Sequence, residues 1–226
     1  ERSEDWEPMS TIDQKRAIYQ QFAAVAKALG HEYRWELLEL VAQGERSVES
    51  LCHLTGLAVG TVSQHLQQMR RSGLVRSRKE GRFMYYSLAD DRVISLMAGL
   101  REVAERNIAE VRHLVEGFHG DGADLDAVDA DELLEQLEGG GVTLLDVRPE
   151  QEYTAGHLPG ALNIPVEELQ ARLRELPAGQ RIVAYCRGPF CALSQDAVRL
   201  LREQGLEAIR FESGYPEWKA SGLPVQ

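Results

Sequence analysis

The chain has 226 residues, and its 36 acidic residues outnumber 25 basic ones, giving a net charge of −11 at neutral pH. This length is sufficient for two domains that each bury a core. No stretch approaches the length of an apolar membrane span, and three cysteines are too few for a disulfide framework. These features argue against an integral membrane protein and a disulfide-rich secreted domain. We therefore expect a soluble, cytoplasmic protein with reactive rather than structural thiols.

The acidity is concentrated in the second half of the chain. Residues 1–116 carry 16 basic against 17 acidic residues, whereas residues 117–226 carry 9 against 19. Within the first half, residues 70–82 contain six basic side chains and a single acid, Glu80. A basic strip on a neutral domain is a candidate phosphate-binding surface, although a charge run is more often a solvated face. The sequence around this strip is therefore needed to tell a phosphate-binding surface from an ordinary solvated face.

The first half has the pattern of short helices separated by glycines. Apolar residues at helical spacing predict helices over 12–29 and 32–42, and a short helix that Ser47 opens and Gly56 ends. After Leu57 and Ala58 a further helix runs to Gly73 with its apolar face inward. The last two helices form a helix-turn-helix.

The second helix of this pair has polar side chains, away from its apolar face, that suit base edges and phosphates in a major groove. Residues 74–78 and 83–88 are predicted to be two strands joined by residues 79–82, a hairpin with basic residues at its tip. The predicted DNA-binding residues of this helix and hairpin are Thr61, Ser63, Gln64, Gln67, Arg78, Lys79 and Arg82.

The segment 61–88, TVSQHLQQMRRSGLVRSRKEGRFMYYSL, resembles the recognition helix and wing of ArsR-type winged helix-turn-helix repressors. The resemblance covers roughly residues 12–116. It implies an α+β winged domain that dimerises through its first and last helices and binds a two-fold symmetric operator in double-stranded DNA. In addition, a long helix is predicted from Asp90 or Asp91 to about Glu116, and its apolar stripe is too large to remain exposed to solvent. We expect a homodimer; burial of the stripe within one chain is the alternative.

ArsR-type repressors often sense metals or metalloids, so the potential ligands of the first half matter. Cys52 is its single thiol and makes a poor soft-metal site. Glu102, His113 and Glu116 have helical spacings that could contribute to a zinc site, but Leu100 stands where a further ligand would be wanted. We predict no metal and no cofactor, and we expect Cys52 to be a small buried side chain. His65, inside the recognition helix, is expected to pack or to contact the backbone.

Three glycines between residues 117 and 122 predict a linker over 117–126, between a winged domain at 10–116 and a second domain at 127–226. From Asp129 onward, helical runs alternate with apolar strand-like runs at 143–147, 182–185 and 207–211. This alternation predicts an α/β domain with a largely parallel sheet.

Cys186 stands at the end of one of these strands, where open α/β sheets place ligands. Only five residues separate it from the next helix, so loop N–H groups and the helix N-terminus can stabilise an anion at the sulfur. We expect a lowered pKa and a nucleophilic thiolate at Cys186. The predicted anion cradle consists of Arg187, Gly188, Pro189, Phe190 and Cys191.

This loop resembles the active-site loop of rhodanese-type sulfurtransferases, in which the cysteine carries sulfane sulfur as a persulfide. LLDVRPEQEYTAGHLPGALNIP at 144–165 and GYPEWKASGLPV at 214–225 extend the resemblance to roughly residues 127–226. Phosphatases of the same fold place an arginine six residues after the cysteine; Ala192 occupies that position, which disfavours phosphate chemistry. Asp146, Arg148 and Glu152 favour a supporting polar network over catalysis, and the resemblance makes His157 mainly structural.

Cys191 departs from the commoner rhodanese loop. It could resolve a Cys186 persulfide by forming a disulfide, or it could simply cap the following helix. The leading hypothesis is a DNA-binding repressor whose rhodanese-like domain takes sulfur onto Cys186 from thiosulfate, polysulfide or a low-molecular-weight persulfide. Two alternatives stay open: a working thiosulfate or persulfide sulfurtransferase with the winged domain as scaffold, and a metal or metalloid sensor with a passive rhodanese domain.

Overall fold

A computed structural model describes residues 10–119 and 127–226. The described residues form eleven α-helices, one 3-10 helix and eight strands in two sheets. Within these ranges, no helix is both long enough and apolar enough to cross a bilayer. The chain divides into two compact units: the first runs to Leu38 and includes Arg46–Ala89, and the second comprises Glu39–Glu45 and Asp90–Gln226.

The first unit is a helical domain with a small antiparallel sheet of order β1-β3-β2. The last residues of its second helix belong to the second unit. The elements are α1 (Thr11–Leu29), α2 (Glu32–Ala42), β1 (Arg46–Ser47), α3 (Val48–Thr55), α4 (Val59–Arg71), β2 (Val75–Glu80) and β3 (Phe83–Leu88).

The helix-turn-helix prediction is confirmed. Ser47 caps α3, its Oγ accepting from the Ser50 amide at 3.1 Å, and Gly56 ends the helix in the left-handed conformation at φ 69°. The inward face of α4 is fully buried, and it consists of Val62, Leu66 and Met69. The α2 helix has the predicted bounds, and two leucines at its centre, Leu37 and Leu38, are fully buried.

The hairpin is confirmed, with a longer first strand than the sequence predicts. The ladder continues to the pair Glu80–Phe83, so Lys79 lies in β2 and only Gly81 and Arg82 form the turn. Gly81 has φ 59°, which a tight two-residue hairpin turn requires and a side chain disfavours. Such a turn matches the twist of the strands and lets them pair to their ends.

The single long helix predicted from Asp90 or Asp91 to Glu116 is wrong. The structure has two helices, α5 (Arg92–Asn107) and α6 (Ala109–His119), separated by Ile108 in an extended conformation. The Asn107 side chain donates to the Val103 carbonyl at 2.8 Å, a local side-chain-to-backbone bond at the last residue of α5. Since α6 runs on to His119, Gly117 does not break the helix. The rest of the predicted linker, 120–126, lies outside the described residues.

The remainder of the second unit is an α/β domain, as predicted. Its five strands are all parallel, in the order β4-β8-β7-β5-β6. The elements are β4 (Ala127–Val128), α7 (Ala130–Glu138), β5 (Val142–Asp146), α8 (Glu150–Ala155), β6 (Leu162–Asn163), α9 (Val166–Arg172), a 3-10 helix (Leu173–Glu175), β7 (Arg181–Cys186), α10 (Ala192–Glu203), β8 (Ala208–Gly214) and α11 (Tyr215–Ala220).

The central strand β7 is covered on both faces. Ile182, Ala184 and Cys186 pack into one apolar cluster, and Val183 and Tyr185 pack into the other. All five are fully buried, which explains why this strand lacks polar alternation. The chain therefore leaves the middle of the core at Cys186.

A glycine at the end of β8 allows the loop after Cys186 to lie against the sheet. Gly214 pairs with Cys186 across a register shift. A Cβ on Gly214 would lie 2.4 Å from the Gly188 nitrogen and 2.5 Å from the Arg187 carbonyl carbon, both backbone atoms. No side chain fits there, so a glycine at this position is a condition for the loop conformation.

Candidate functional site

The candidate site is the loop that joins β7 to α10. Cys186 is 0% exposed, and its Sγ lies 3.2 Å from Ser194 Oγ and 3.5 Å from the Cys191 carbonyl oxygen. Cys191 occupies the N-cap position of α10, whose first turn carries Ser194. The three cysteines of the chain are free thiols in this structure. The fold therefore brings both loop thiols and a buried hydroxyl to the N-terminus of α10.

Hydrogen bonds favour a negative charge on Cys186. Burial by itself raises the pKa of this thiol, but hydrogen bonds from the Cys191 and Ser194 side chains and from the Gly188 and Ser194 amides lower the pKa to about 6. The Cys191 thiol donates to Cys186, and this bond, together with burial and the neighbouring negative charge, raises the pKa of Cys191. At neutral pH the loop therefore pairs a thiolate at Cys186 with a protonated thiol at Cys191.

The side chain of Arg187 is paired with a buried carboxylate. Its guanidinium forms a bidentate ion pair with Glu152, with Nη2–Oε1 at 2.7 Å and Nε–Oε2 at 2.9 Å. Glu152 is buried, so this pair fixes the start of the loop against α8. Arg187 thus contributes its backbone to the loop, and its charge is shared with Glu152.

The tip of the loop rests on aromatic and cationic groups. The Phe190 ring lies 5.8 Å from the Phe118 ring, nearly perpendicular to it, and 5.7 Å from the Arg101 guanidinium carbon. Pro189 and Gly188 are half-buried. The Glu217 carboxylate accepts from the Gly214 amide at 3.2 Å and lies against Gly188.

A buried polar network supports the site, as the sequence predicts. The Arg148 guanidinium is fully buried, and its Nη2 donates to Asp146 Oδ2 at 2.6 Å and to the Gly156 carbonyl at 2.8 Å. It also lies over the rings of Tyr185 and Tyr215. Removing one partner of such a pair leaves the other charge buried and unpaired, which lowers the free energy of unfolding by about 3–5 kcal/mol.

Two side chains near the loop were absent from the sequence prediction. Ser194 could have been predicted from the sequence. It lies in the first turn of the helix after Cys186, and a hydroxyl there can donate to the same thiolate as the amides of that turn. Gln43 carried no local signal: it donates to the Arg187 carbonyl from 144 residues away in the chain. His157, predicted to be structural, stacks on Tyr153 at 3.7 Å.

The predicted DNA-binding residues of the first unit are all accessible. Gln64, Gln67, Arg78, Lys79 and Arg82 are exposed, and Thr61 and Ser63 are half-buried in the first turns of α4. Arg78 forms an ion pair with Glu80 and lies over the Tyr85 ring, so part of its charge is neutralised within the wing.

The candidate metal ligands do not form a cluster in the part of the chain that the structure describes. No three His, Cys, Asp or Glu side chains among the described residues lie close enough together to hold a metal ion. Glu102 forms an ion pair with Arg106, and Cys52 is half-buried rather than buried. His65 packs on His31, with ring centroids 4.4 Å apart, as expected for a packing residue.

Comparisons with known proteins assign both parts of the chain. The profile of the family "Bacterial regulatory protein, arsR family" matches residues 31–77, and that of the "Rhodanese-like domain" matches residues 129–221. The HTH-type transcriptional regulator Rv0324 of Mycobacterium tuberculosis is 46% identical over 213 residues, covering 94% of this chain and 93% of that protein.

Two further relatives each match one part. The human thiosulfate:glutathione sulfurtransferase is 36% identical over 100 residues, covering 38% of this chain and 87% of that protein. The solution structure of the homodimeric winged helix-turn-helix domain of a Mycobacterium bovis protein, described as a possible ArsR-family regulator, is 38% identical with a TM-score of 0.41. It covers 46% of this chain and 94% of that one.

The loop geometry predicts how Cys186 reactivity depends on pH. Alkylation of Cys186 by iodoacetamide, followed by peptide mass spectrometry, should reach half its maximal rate near the pKa of about 6, because only the thiolate reacts. Ser194→Ala removes one donor to the thiolate and should raise the midpoint by roughly one pH unit.

Ser221→Ala is the matched control, since the Ser221 hydroxyl is exposed and donates to the Glu217 carbonyl. It should leave the midpoint unchanged. A wild-type midpoint near that of an ordinary thiol, roughly 8.5, would contradict the thiolate assignment. Coincident wild-type and Ser194→Ala curves would contradict the role of the hydroxyl.

Proposed function

This chain belongs to the ArsR family of HTH-type transcriptional regulators and carries a C-terminal rhodanese-like domain, and we propose that it is a repressor that senses sulfane sulfur through a persulfide on Cys186. The observation that carries the proposal is the loop itself: a buried sulfur whose pKa is lowered to about 6, with a second thiol as its hydrogen-bond donor. A stable thiolate is the nucleophile that sulfur uptake requires.

The first step loads sulfur onto the thiolate. Cys186 Sγ attacks the sulfane sulfur of a polysulfide, a low-molecular-weight persulfide or thiosulfate, forming a new S–S bond. The S–S bond of the donor breaks and its electron pair leaves with the shortened polysulfide, the thiolate or sulfite, respectively. The negative charge then resides on the outer sulfur, near the loop amides that previously faced Sγ.

The second step uses Cys191. Its sulfur attacks Cys186 Sγ, forms the Cys186–Cys191 disulfide and expels hydrosulfide, while the Cys191 proton goes to the departing sulfide or to solvent. The persulfide is itself the oxidant, so the step balances without another reagent. The hydrogen bond between the two side chains supports this assignment, because it requires that the sulfurs approach each other.

We further propose that the working form is a homodimer bound to a two-fold operator. Apolar side chains are exposed on α1 of the first unit and on α5 and α6 of the second. Isolated monomers rarely leave so many large apolar residues in water, and a second copy of the chain is an occupant with matching surfaces. The exposed residues on these helices include Ile12, Ile18, Tyr19, Phe22, Leu100, Val103 and Leu114, and Ile108, between α5 and α6, is exposed as well.

Operator binding should respond to sulfur. In gel-shift titrations with and without polysulfide, the wild-type affinity should change by roughly 5- to 150-fold, the range of ordinary allosteric coupling. Cys186→Ser should remove the response. Cys191→Ser should still gain about 32 Da per sulfur but lose the disulfide species at about −2 Da. Unchanged affinity in wild-type protein whose mass shows the modification would refute the switch.

DNA binding through the wing should depend on salt. Lys79→Gln, which removes one exposed cation from β2, should weaken binding similarly on all DNA sequences and reduce the slope of log affinity against log salt by about one. Arg174→Gln, an exposed cation of the second unit, is the control and should leave the slope unchanged. A salt-independent wild-type affinity would contradict the assigned basic strip.

A second candidate function is a working sulfurtransferase, favoured by the similarity of the second unit to a human enzyme named for that activity. In this case, thiosulfate and cyanide should be turned over to thiocyanate and sulfite in the steady state. Cys186→Ser should abolish turnover, whereas Lys79→Gln should leave it unchanged because it alters only the wing. Absence of turnover, together with a stable persulfide on Cys186, would favour the sensor over the enzyme.

A further inference from the structure

Gln43 is a buried amide whose hydrogen bonds fix its orientation. It follows the last residue of α2, belongs to the second unit and is 1% exposed. Its Nε2 donates to the carbonyls of Glu39 at 3.2 Å and Arg187 at 3.1 Å, and its Oε1 accepts from Arg148 Nη1 at 3.0 Å. Carbonyls can only accept and a guanidinium can only donate, so these partners determine which way the amide points.

The carbonyl that Gln43 binds is part of the peptide between Arg187 and Gly188. A trans peptide is planar, with its N–H directed opposite to its C=O, and the described residues contain no cis peptide. Gly188, at the other end of this peptide, lies at the sulfur: its carbonyl oxygen is 3.8 Å from Cys186 Sγ, and its amide is one of the groups that lower the pKa of Cys186. Gln43 holds the carbonyl end of the same planar peptide, which restricts the direction of the Gly188 N–H.

We propose that Gln43 is a positioning residue for the sulfur site, holding the Arg187–Gly188 peptide so that its N–H stabilises the anionic sulfur of Cys186 and of its persulfide. A rotation of this peptide would turn a carbonyl oxygen towards the anion. The persulfide part of the inference rests on the proposed function, and the thiolate part does not.

The bonds form one directed series from a cation to an anion. Arg148, anchored by Asp146, donates to Gln43; Gln43 donates to the Arg187 carbonyl; and the Gly188 amide donates to Cys186. Each donor is polarised by the donor before it, which strengthens the last bond in the series beyond that of an isolated amide.

Gln43 lies within the residues matched by the arsR-family profile, 31–77, and outside the rhodanese-like match, 129–221. The sulfur site is therefore incomplete in the rhodanese-like segment alone. Any loop rearrangement that moves the Arg187 carbonyl must break or reorient the hydrogen bond from Gln43.

Other charged groups near Cys186 must be kept constant in a test. Arg187 is paired with Glu152, Arg210 interacts electrostatically with Cys186 from β8, and Glu217 lies against Gly188 from α11. Cys191 is the nearest titratable group and donates to Cys186. Substitutions at Gln43 leave all of these residues in place.

The test compares full-length Gln43→Met and Gln43→Leu with the wild type. Both substitutions remove the amide donors and the acceptor without adding a charge near Cys186. For both, the pH midpoint of Cys186 alkylation should rise by about one unit, and a preformed Cys186 persulfide should lose sulfur roughly tenfold faster. Glu36→Gln, an exposed change on α2, should alter neither.

The outcomes separate this inference from the proposed function. A cooperative thermal unfolding transition shows that a Gln43 variant is folded. If a folded variant keeps the wild-type pH midpoint of Cys186 alkylation, the positioning role is overturned, even if the persulfide forms. A wild-type protein that forms no persulfide overturns the sensing proposal, whereas a raised midpoint in the Gln43 variants would still support positioning of the thiolate. If Gln43→Met fails to fold, Gln43→Leu decides, because it removes the same hydrogen bonds with a different side-chain shape.

Discussion

A charged sulfur inside a core is the constraint on which the second unit depends. Burial of Cys186 opposes ionisation, so the loop must supply enough hydrogen bonds to reverse that effect. The fold meets this demand by ending the central strand where α10 begins, which brings first-turn donors to the same atom. Gly214 completes the arrangement, because only a residue without a Cβ lets β8 lie directly beneath the loop.

The polar pairs around the loop orient groups more than they add stability. A buried ion pair such as Asp146–Arg148 adds little to the free energy of unfolding compared with apolar packing, because both charges must be desolvated. Removal of one partner is nevertheless strongly destabilising, because the other charge is left buried and unpaired. Arg148 and Glu152 each use this property to fix one part of the loop: Arg148 through the Gln43 amide, and Glu152 through the Arg187 guanidinium. The loop backbone is therefore held from two directions before any sulfur donor arrives.

The sequence predicted what local patterns determine. The parallel strands, the helix-turn-helix and the thiolate loop each follow from short runs of apolar spacing, glycines and helix caps. The break at Ile108 was missed because an apolar stripe continues through it, and only the Asn107 side chain reveals the helix end. The direction of Arg187 and the role of Gln43 depend on partners 35 and 144 residues away, which no local pattern encodes.

A modification at Cys186 can alter DNA affinity only if it changes the free energy of one DNA-binding conformation relative to another. Within the second unit, the hydrogen bond from Gln43 to the Arg187 carbonyl is one interaction whose energy a modification of the loop would change. A disulfide between Cys186 and Cys191 joins the two ends of the six-residue segment 186–191, and the peptide after Cys186 is next to that new bond. A loop that no longer presents the Arg187 carbonyl leaves a buried amide N–H of Gln43 unsatisfied, at a cost of about 1–3 kcal/mol. That amount is within the range of ordinary allosteric coupling energies.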